Sequence, residues 1–466
     1  MESGKPYFFC GIGGSGMLPL ACIVRARGHE VAGSDRSLDQ QRLGDKFDYL
    51  RTLGIDLYPQ DGSGLTRAEQ LLVTSAAIEE TVPDVVKAMA LGCERLTRPQ
   101  LLAELFNAAP AGIAVGGTSG KSTTTGMIGW ILHSAGRDPT VMNGAVMKNF
   151  VSEETPFASA LVGGGDVFVS EVDESDGSIA LYEPTVAVLN NVSLDHKSME
   201  ELSTLFTDFS EGAGTLVFNL DDEETLRIGG RVQGPELVGF SLRHEAADLL
   251  ASGLEEEPLA ISFAVREKPS GETARVRLQV PGVHNVYNAL AALGAVRALG
   301  VPLREASEAL GGFTGLRRRF DVVGTAGGVT VIDDFGHNPD KIAATLATLH
   351  ACPGRVLAFF QPHGHGPLRQ MGAELADAFA GGLAPDDVLI LCDPVYYGGT
   401  TDRSVGSEVL VDAVEARGRH AEHHPARENA GRRLAELARP GDRIVIMGAR
   451  DDTLSRFARE LLESIG

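Results

Sequence analysis

This chain predicts a three-domain α/β protein: a Rossmann-like N-terminal domain, a central P-loop ATPase-like domain on a parallel sheet, and a Rossmann-like C-terminal α/β domain. Three observations carry the prediction. An apolar strand runs into a glycine-rich turn and then a helix between Tyr7 and Gly28, and the same order of strand, glycine loop and helix recurs between Ile113 and Gly136. A third alternation of apolar strands and helices follows Gly328. Strands that alternate with helices form parallel sheets covered by those helices, and 466 residues suffice for about three domains of ordinary size. The expected boundaries are 1–108, 109–316 and 317–466.

Charge and composition narrow the partners. Lys and Arg number 41 against 63 Asp and Glu, a formal charge of −22. A field of that sign argues against nucleic acid or an anionic membrane as partner, though not against a small anion in a local basic pocket. Cys10, Cys22, Cys93, Cys352 and Cys392 are odd in number and lack C-x-x-C spacing, so neither a disulfide framework nor a zinc site is expected. No basic segment precedes an apolar stretch at the N-terminus and no apolar run is long enough to span a bilayer, so a cytoplasmic protein is expected, acting as monomer or homodimer.

In chain order, the first strand opens onto Gly11, Ile12, Gly13, Gly14, Ser15 and Gly16, and a second strand ends at Asp35. This is the dinucleotide-binding fingerprint, in which a helix N-terminus faces a diphosphate and an acidic side chain meets a ribose. A redox dinucleotide and a nucleotide-linked substrate both satisfy it. Gln70 to Ile78 reads as a further strand carrying Ser75, and Thr81 to Gly92 as a helix. Arg98, before Pro99 and a helical LLAELF, is either a solvated linker residue or a ligand contact.

The second glycine loop is Gly116, Gly117, Thr118, Ser119, Gly120, Lys121, Ser122, with Thr123 after it. It matches the short G-T-x-G-K-[ST] pattern, Val115 standing where the longer P-loop pattern has glycine. Glycines turn successive N–H groups toward one anion, the helix N-terminus adds its dipole, Lys121 adds a point charge, and the Ser122 hydroxyl can ligate Mg²⁺. Such a loop is expected to be a triphosphate cradle, the alternative being a Gly/Ser/Thr-rich helix cap with an exposed lysine. The strand DVFVSEVDESD brings Glu171 to its carboxyl end, where open α/β sheets bind ligands. A carboxylate beside a triphosphate is a natural Mg²⁺ ligand. Asp173, Glu174 and Asp176 are expected to be solvated or to face a substrate. His196, one crossover and one strand further on, is expected as a second metal ligand at the same edge.

Residues 221–280 are charged and turn-rich, and are expected to form a peripheral β excursion without chemistry. His284, Asn285 and Asn288 then open a helix, with the two amides on one face. Amides so placed cap a helix or read a purine edge. The run Arg317, Arg318, Arg319 is either a solvated face or a clamp on phosphates. Later strands end at Asp334, Phe335, Gly336 and His337, and at Gln361, Pro362 and His363, which points to ligand-facing loops.

Taken together, GIGGSGM, GTSGKSTTT, EVDESD, DH at 195–196, PGVHNVYNALAA, RRRF, DDFGHNP and FQPH make the chain resemble the Mur ligases, ATP-dependent amide-forming enzymes of peptidoglycan assembly. The resemblance is strongest to those members that load UDP-N-acetylmuramate with L-alanine or with a murein peptide. It implies that Gly11 to Gly16, with Asp35, Ser75, Arg98 and His363, hold the UDP-sugar substrate. ATP would be held by Gly117 to Thr123 and by His284, Asn285, Asn288, Arg319 and Asp334. Lys121, Glu171, His196 and His337 would be catalytic, with Ser122, Glu171 and His196 on Mg²⁺. ATP would phosphorylate the lactyl carboxylate and an amine would displace phosphate. Two departures stand out. Ser119 replaces the loop histidine of the alanine-adding members. After FQPH the chain has Gly364, His365, Gly366, Pro367 in place of their Arg-Tyr-x-Arg, so the amine is L-alanine, a murein peptide or a different amine.

Overall fold

The three alternations read from the sequence appear as three sheets in the computed structural model, which describes residues 4–193, 197–395, 404–449 and 451–466. By its packing the chain divides into two units. One comprises Met1–Gly253, Phe263–Val276 and Tyr287–Thr314; the other comprises Leu254–Ser262, Arg277–Val286 and Gly315–Gly466. Among the described residues no helix is long and apolar enough to cross a membrane.

The first sheet runs in the order Asp56–Tyr58, Glu30–Ser34, Pro6–Cys10, Leu71–Thr74, Arg95–Thr97, all parallel. Tyr7 and Phe9 enter one apolar core and Phe8 and Cys10 another, as expected of a central strand covered on both faces. Cys10 pairs with Ser34 and Phe9 with Val73, so Gly11 to Gly16, Asp35 and Ser75 leave the sheet at one edge. The helix Arg98–Asn107 begins with a capping box, in which the Thr97 hydroxyl and the Gln100 side chain each accept the other residue's N–H. That cap places Arg98 in the first turn.

The second sheet has ten strands, in the order Thr273–Leu278, Ala260–Glu267, Leu249–Glu257, Glu236–Ser241, Thr215–Asn219, Val186–Leu189, Ala111–Gly116, Val167–Glu171, Thr140–Met142, Ala160–Leu161. Ala111–Gly116 lies parallel between Val186–Leu189 and Val167–Glu171, with Gly116 opposite Leu189 and Val115 opposite Glu171. This register sets Glu171 and residues 190–191 on either side of the second glycine loop. The reading of 221–280 as a β excursion needs correction. Glu223–Arg231 is a helix, its N-terminus capped by the Asp222 side chain, and Glu236–Ser241 extends the parallel sheet. Gly229 and Gly230 in the last turn of that helix make its sequence look like a turn.

The third sheet runs Asp321–Ala326, Val329–Asp334, Arg443–Gly448, Val356–Gln361, Val388–Leu391, His420–His423, parallel except for the first strand. Leu454, Phe457, Ala458 and Leu461 bury one stripe of the last helix, Leu454–Ile465, at helical spacing.

Candidate active site

The second glycine loop belongs to the first unit, and its shape depends on two glycines. Gly117 and Gly120 have φ of +115° and +86°, a region that L side chains rarely enter. A Cβ on Gly117 would stand 2.9 Å from the Asn191 carbonyl oxygen, and one on Gly120 would run into Asn288 Oδ1. Asn191 holds the loop from its flank: its Oδ1 accepts the Ser119 N–H at 2.8 Å, its Nδ2 donates to the Ser119 carbonyl at 3.0 Å, and its carbonyl accepts the Thr118 N–H at 3.0 Å. The Thr118 hydroxyl donates to the Ser193 carbonyl and accepts the Ser193 N–H. A buried amide pair supports the following turn, with Asn190 Nδ2 donating to Asn288 Oδ1 and to Thr124 Oγ1, both at 2.9 Å. Thr123 lies half-buried in the same turn.

Lys121 Nζ donates to the Gly117 carbonyl and to Glu174 Oε2, each at 2.7 Å. The Ser122 hydroxyl donates to Glu171 Oε2 at 2.8 Å, and Asn143 Nδ2 fixes the Ser122 carbonyl at 2.9 Å. Gly144 leaves the space that the Glu171 carboxylate fills, because a Cβ there would collide with it. A hydroxyl and a carboxylate converging beside a lysine are the hard oxygen donors that suit Mg²⁺. Burial works against the charged form of Asp173. The Ser175 hydroxyl and N–H, with the charges of Lys121 and Arg98, outweigh it and hold the pKa below the usual carboxylate value. The expectation that Glu174 is solvated or faces a substrate is corrected: it is buried against Lys121. His196 and Asp195 lie outside the described residues.

In the first glycine loop of the same unit, Gly11 has φ +83° and Gly14 N–H closes a turn onto the Gly11 carbonyl at 3.1 Å. Ile12 sends its side chain into the core, while Ser15 is exposed. Asp35 braces the loop. Its Oδ2 accepts the Gly13 N–H at 2.9 Å and its Oδ1 the Ser37 N–H at 2.7 Å, so the carboxylate shapes the loop. Arg98 is half-buried against the loop, its Cδ 3.0 Å from where a Cβ on Gly16 would stand, and its charge reaches Asp173. Ser75 is half-buried just past its strand, where its carbonyl accepts the Ile78 N–H.

In the second unit, Asp334 braces the chain around it. Its Oδ2 accepts the Phe320 N–H at 2.7 Å, and its Oδ1 accepts the Gly336 N–H at 2.7 Å and the Thr345 hydroxyl at 3.1 Å. The arginine run is not a uniform solvated face. Arg318 is buried and donates to the Gly448 carbonyl at 2.7 Å, and Arg319 stacks over Phe335 at 4.4 Å. His337 Nδ1 lies 2.8 Å from the Phe335 carbonyl oxygen, and its ring meets His363 edge-on at 5.2 Å. Burial, with the positive charges of Lys341, His363 and Arg319, pushes the His337 pKa down to about 3, so the ring is neutral at pH 7. His284 is exposed, and Asn285 Nδ2 donates to the Pro281 carbonyl at 2.6 Å. Asp393, Glu408 and His423 form a further group that the sequence did not single out, their ligand atoms within 4.8 Å of one another.

Sequence models of three domains cover the chain in order: "Mur ligase family, catalytic domain" over residues 6–109, "Mur ligase middle domain" over 115–296, and "Mur ligase, glutamate ligase domain" over 318–450. The UDP-N-acetylmuramate-L-alanine ligase of Cereibacter sphaeroides is 35% identical over 468 residues, covering 98% of this chain and 96% of that one. The chain belongs to the Mur ligase family. This Mur ligase is also 36% identical to the UDP-N-acetylmuramate-L-alanine ligase of Sorangium cellulosum, with 95% of this chain and 93% of that one aligned. Among solved structures, the UDP-N-acetylmuramate-alanine ligase of Thermotoga maritima superposes with a TM-score of 0.79 at 25% identity over 98% of both chains. The murein peptide ligase of Psychrobacter arcticus gives 0.72 at 26% identity over 99% of both.

Proposed function

We propose that this Mur ligase joins L-alanine to UDP-N-acetylmuramate at the expense of ATP, through an acyl phosphate, in cytoplasmic peptidoglycan assembly. The observation that carries the reading is the convergence of Lys121, Ser122 and Glu171 on one glycine loop, in a chain aligned from end to end with L-alanine ligases. A carboxylate and a γ-phosphate repel each other, so their reaction needs fixed positive charge and alignment. Lys121 supplies that charge, and the N–H groups of Gly120 to Thr123 orient the phosphates, those of Thr118 and Ser119 being held by Asn191. Ser122 and Glu171 would hold Mg²⁺, which neutralises phosphate charge when bound. Gly11 to Gly16 and Arg98 are assigned to the UDP diphosphate, and Asp35 to the shape of that loop.

By the same reading, residues 1–108 take the UDP-sugar, 109–316 take ATP and 317–466 take the amine. His284, Asn285, Asn288, Arg319 and Asp334 are assigned to the nucleotide and His363 to the substrate. His337, neutral at pH 7, serves as a hydrogen-bonding group. A second reading keeps the chemistry and changes the amine to a murein peptide. It is favoured by Gly364, His365, Gly366 and Pro367, which provide no arginine for an amino acid carboxylate where the resemblance leads one to expect two. Phosphate release from ATP, Mg²⁺ and UDP-N-acetylmuramate, with L-alanine, glycine, L-serine or the stem tripeptide added singly, tests both. The amine that stimulates release, with the matching mass gain on the sugar nucleotide, is the substrate. Stimulation by none of them rejects both readings.

A further inference from the structure

Glu174 is a charged group at this site for which the proposed reaction has no use. It follows Glu171 by three residues in the loop after the strand Val167–Glu171, and its carboxylate is buried. The Lys121–Glu174 pair is 2.7 Å long, with 19% of the lysine side chain exposed and 8% of the glutamate. An ammonium has three donors, and here two of them go to the chain's own oxygens, on Gly117 and Glu174. The same loop sends Glu171 to the Ser122 hydroxyl, so one acidic segment engages both the charge and the hydroxyl of the cradle. A phosphate entering the loop brings negative charge to a lysine that a buried carboxylate already neutralises. Carboxylate and phosphate repel more strongly in such a setting than in water, and a buried carboxylate stripped of its cation is costly to maintain.

We infer that Glu174 is the resting counter-ion of Lys121, from which a nucleoside di- or triphosphate must take the lysine. Glu174 is therefore a positioning residue that acts through Lys121 and sets the affinity for ligands with a β-phosphate, which is where a phosphate-loop lysine reaches. This inference rests on the reading of Gly117 to Thr123 as the phosphate site.

Calorimetric titration of the full chain with ATP, ADP and AMP tests it. Glu174→Gln keeps the side chain's shape and removes its charge, and should bind ATP and ADP about tenfold more tightly while AMP affinity stays unchanged. In a Lys121→Met background the same substitution should change ADP affinity by less than about twofold, because the contested group is gone. Glu174→Asp draws the charge back by one methylene and should tighten ADP binding about threefold, so the inference can be read even if Glu174→Gln does not fold. Equal or weaker ADP binding in either variant overturns the inference, as does the same tightening with and without Lys121. If the unsubstituted chain binds neither ATP nor ADP, the phosphate-site reading falls and this inference with it.

Discussion

Replacing Gly120 with alanine should destabilise the first unit by about 3 kcal/mol, and each contribution can be traced to named atoms. A side chain held at φ +86° costs about 1 kcal/mol or slightly more. The new methyl would run into Asn288 Oδ1 and stand 2.9 Å from Asn190 Nδ2, so the buried amides must part. That forfeits the Asn190–Asn288 hydrogen bond of 2.9 Å and the Thr124–Asn288 bond of 3.3 Å, about 1 kcal/mol net each. Gly136→Ala is the matched control. Its φ is +69° and a Cβ there meets no heavy atom within 4 Å, so only the backbone cost remains. Thermal unfolding of the full chain should show Tm lowered by roughly 6–12 °C for Gly120→Ala and about 2–4 °C for Gly136→Ala. ADP affinity should fall in the first variant and hold in the second. Equal losses of stability in the two variants would refute the claim that the amide pair supports the loop.

Two other perturbations probe separate parts of the account. Glu171→Gln keeps the Ser122 contact but removes the anionic oxygen, and should raise the Mg²⁺ concentration for half-maximal activity about tenfold or more, read from phosphate release against Mg²⁺. His337 titrates near 6.5 when unfolded and at about 3 when folded, so between those values the unfolded chain binds the extra proton. Stability of the second unit should therefore fall as pH drops from about 6.5 toward 3. His337→Phe should flatten that part of the urea-unfolding profile, and an unchanged slope would show that His337 is not the group responsible.

Much of the first unit was legible because its signals are local. A glycine loop between a strand and a helix constrains its own backbone, so Gly117, Gly120, Lys121 and Ser122 could be placed from spacing alone, and the strand ending at Glu171 announced its own carboxyl end. What pairs with those residues was not legible. Glu174 looked like one member of an acidic patch, since spacing along a loop does not reveal which carboxylate turns inward. Asn190 and Asn191 carry no motif that singles them out. They flank the phosphate loop only because Val186–Leu189 lies next to Ala111–Gly116, a non-local register that no short motif encodes. Asp35, expected at a ribose, and Asp334, expected at ATP, also accept backbone N–H groups, a common use of a carboxylate at a strand end that spacing does not reveal. A helix with two glycines in its last turn hid inside residues 221–280 because glycine lowers helix propensity by about 1 kcal/mol and reads as a turn.

The central claim is that ATP activates a carboxylate of the sugar nucleotide, and the most direct measurement follows an oxygen atom. UDP-N-acetylmuramate labelled with ¹⁸O in its lactyl carboxylate is incubated with the full chain, ATP, Mg²⁺ and the stimulating amine, and the released phosphate is analysed by mass. Attack of the carboxylate on the γ-phosphorus forms one P–O bond and releases ADP. Attack of the amine on the resulting carbonyl then expels phosphate that carries the carboxylate oxygen. The account predicts one ¹⁸O in each phosphate released with product. Unlabelled phosphate accompanying ADP and amide product would contradict it.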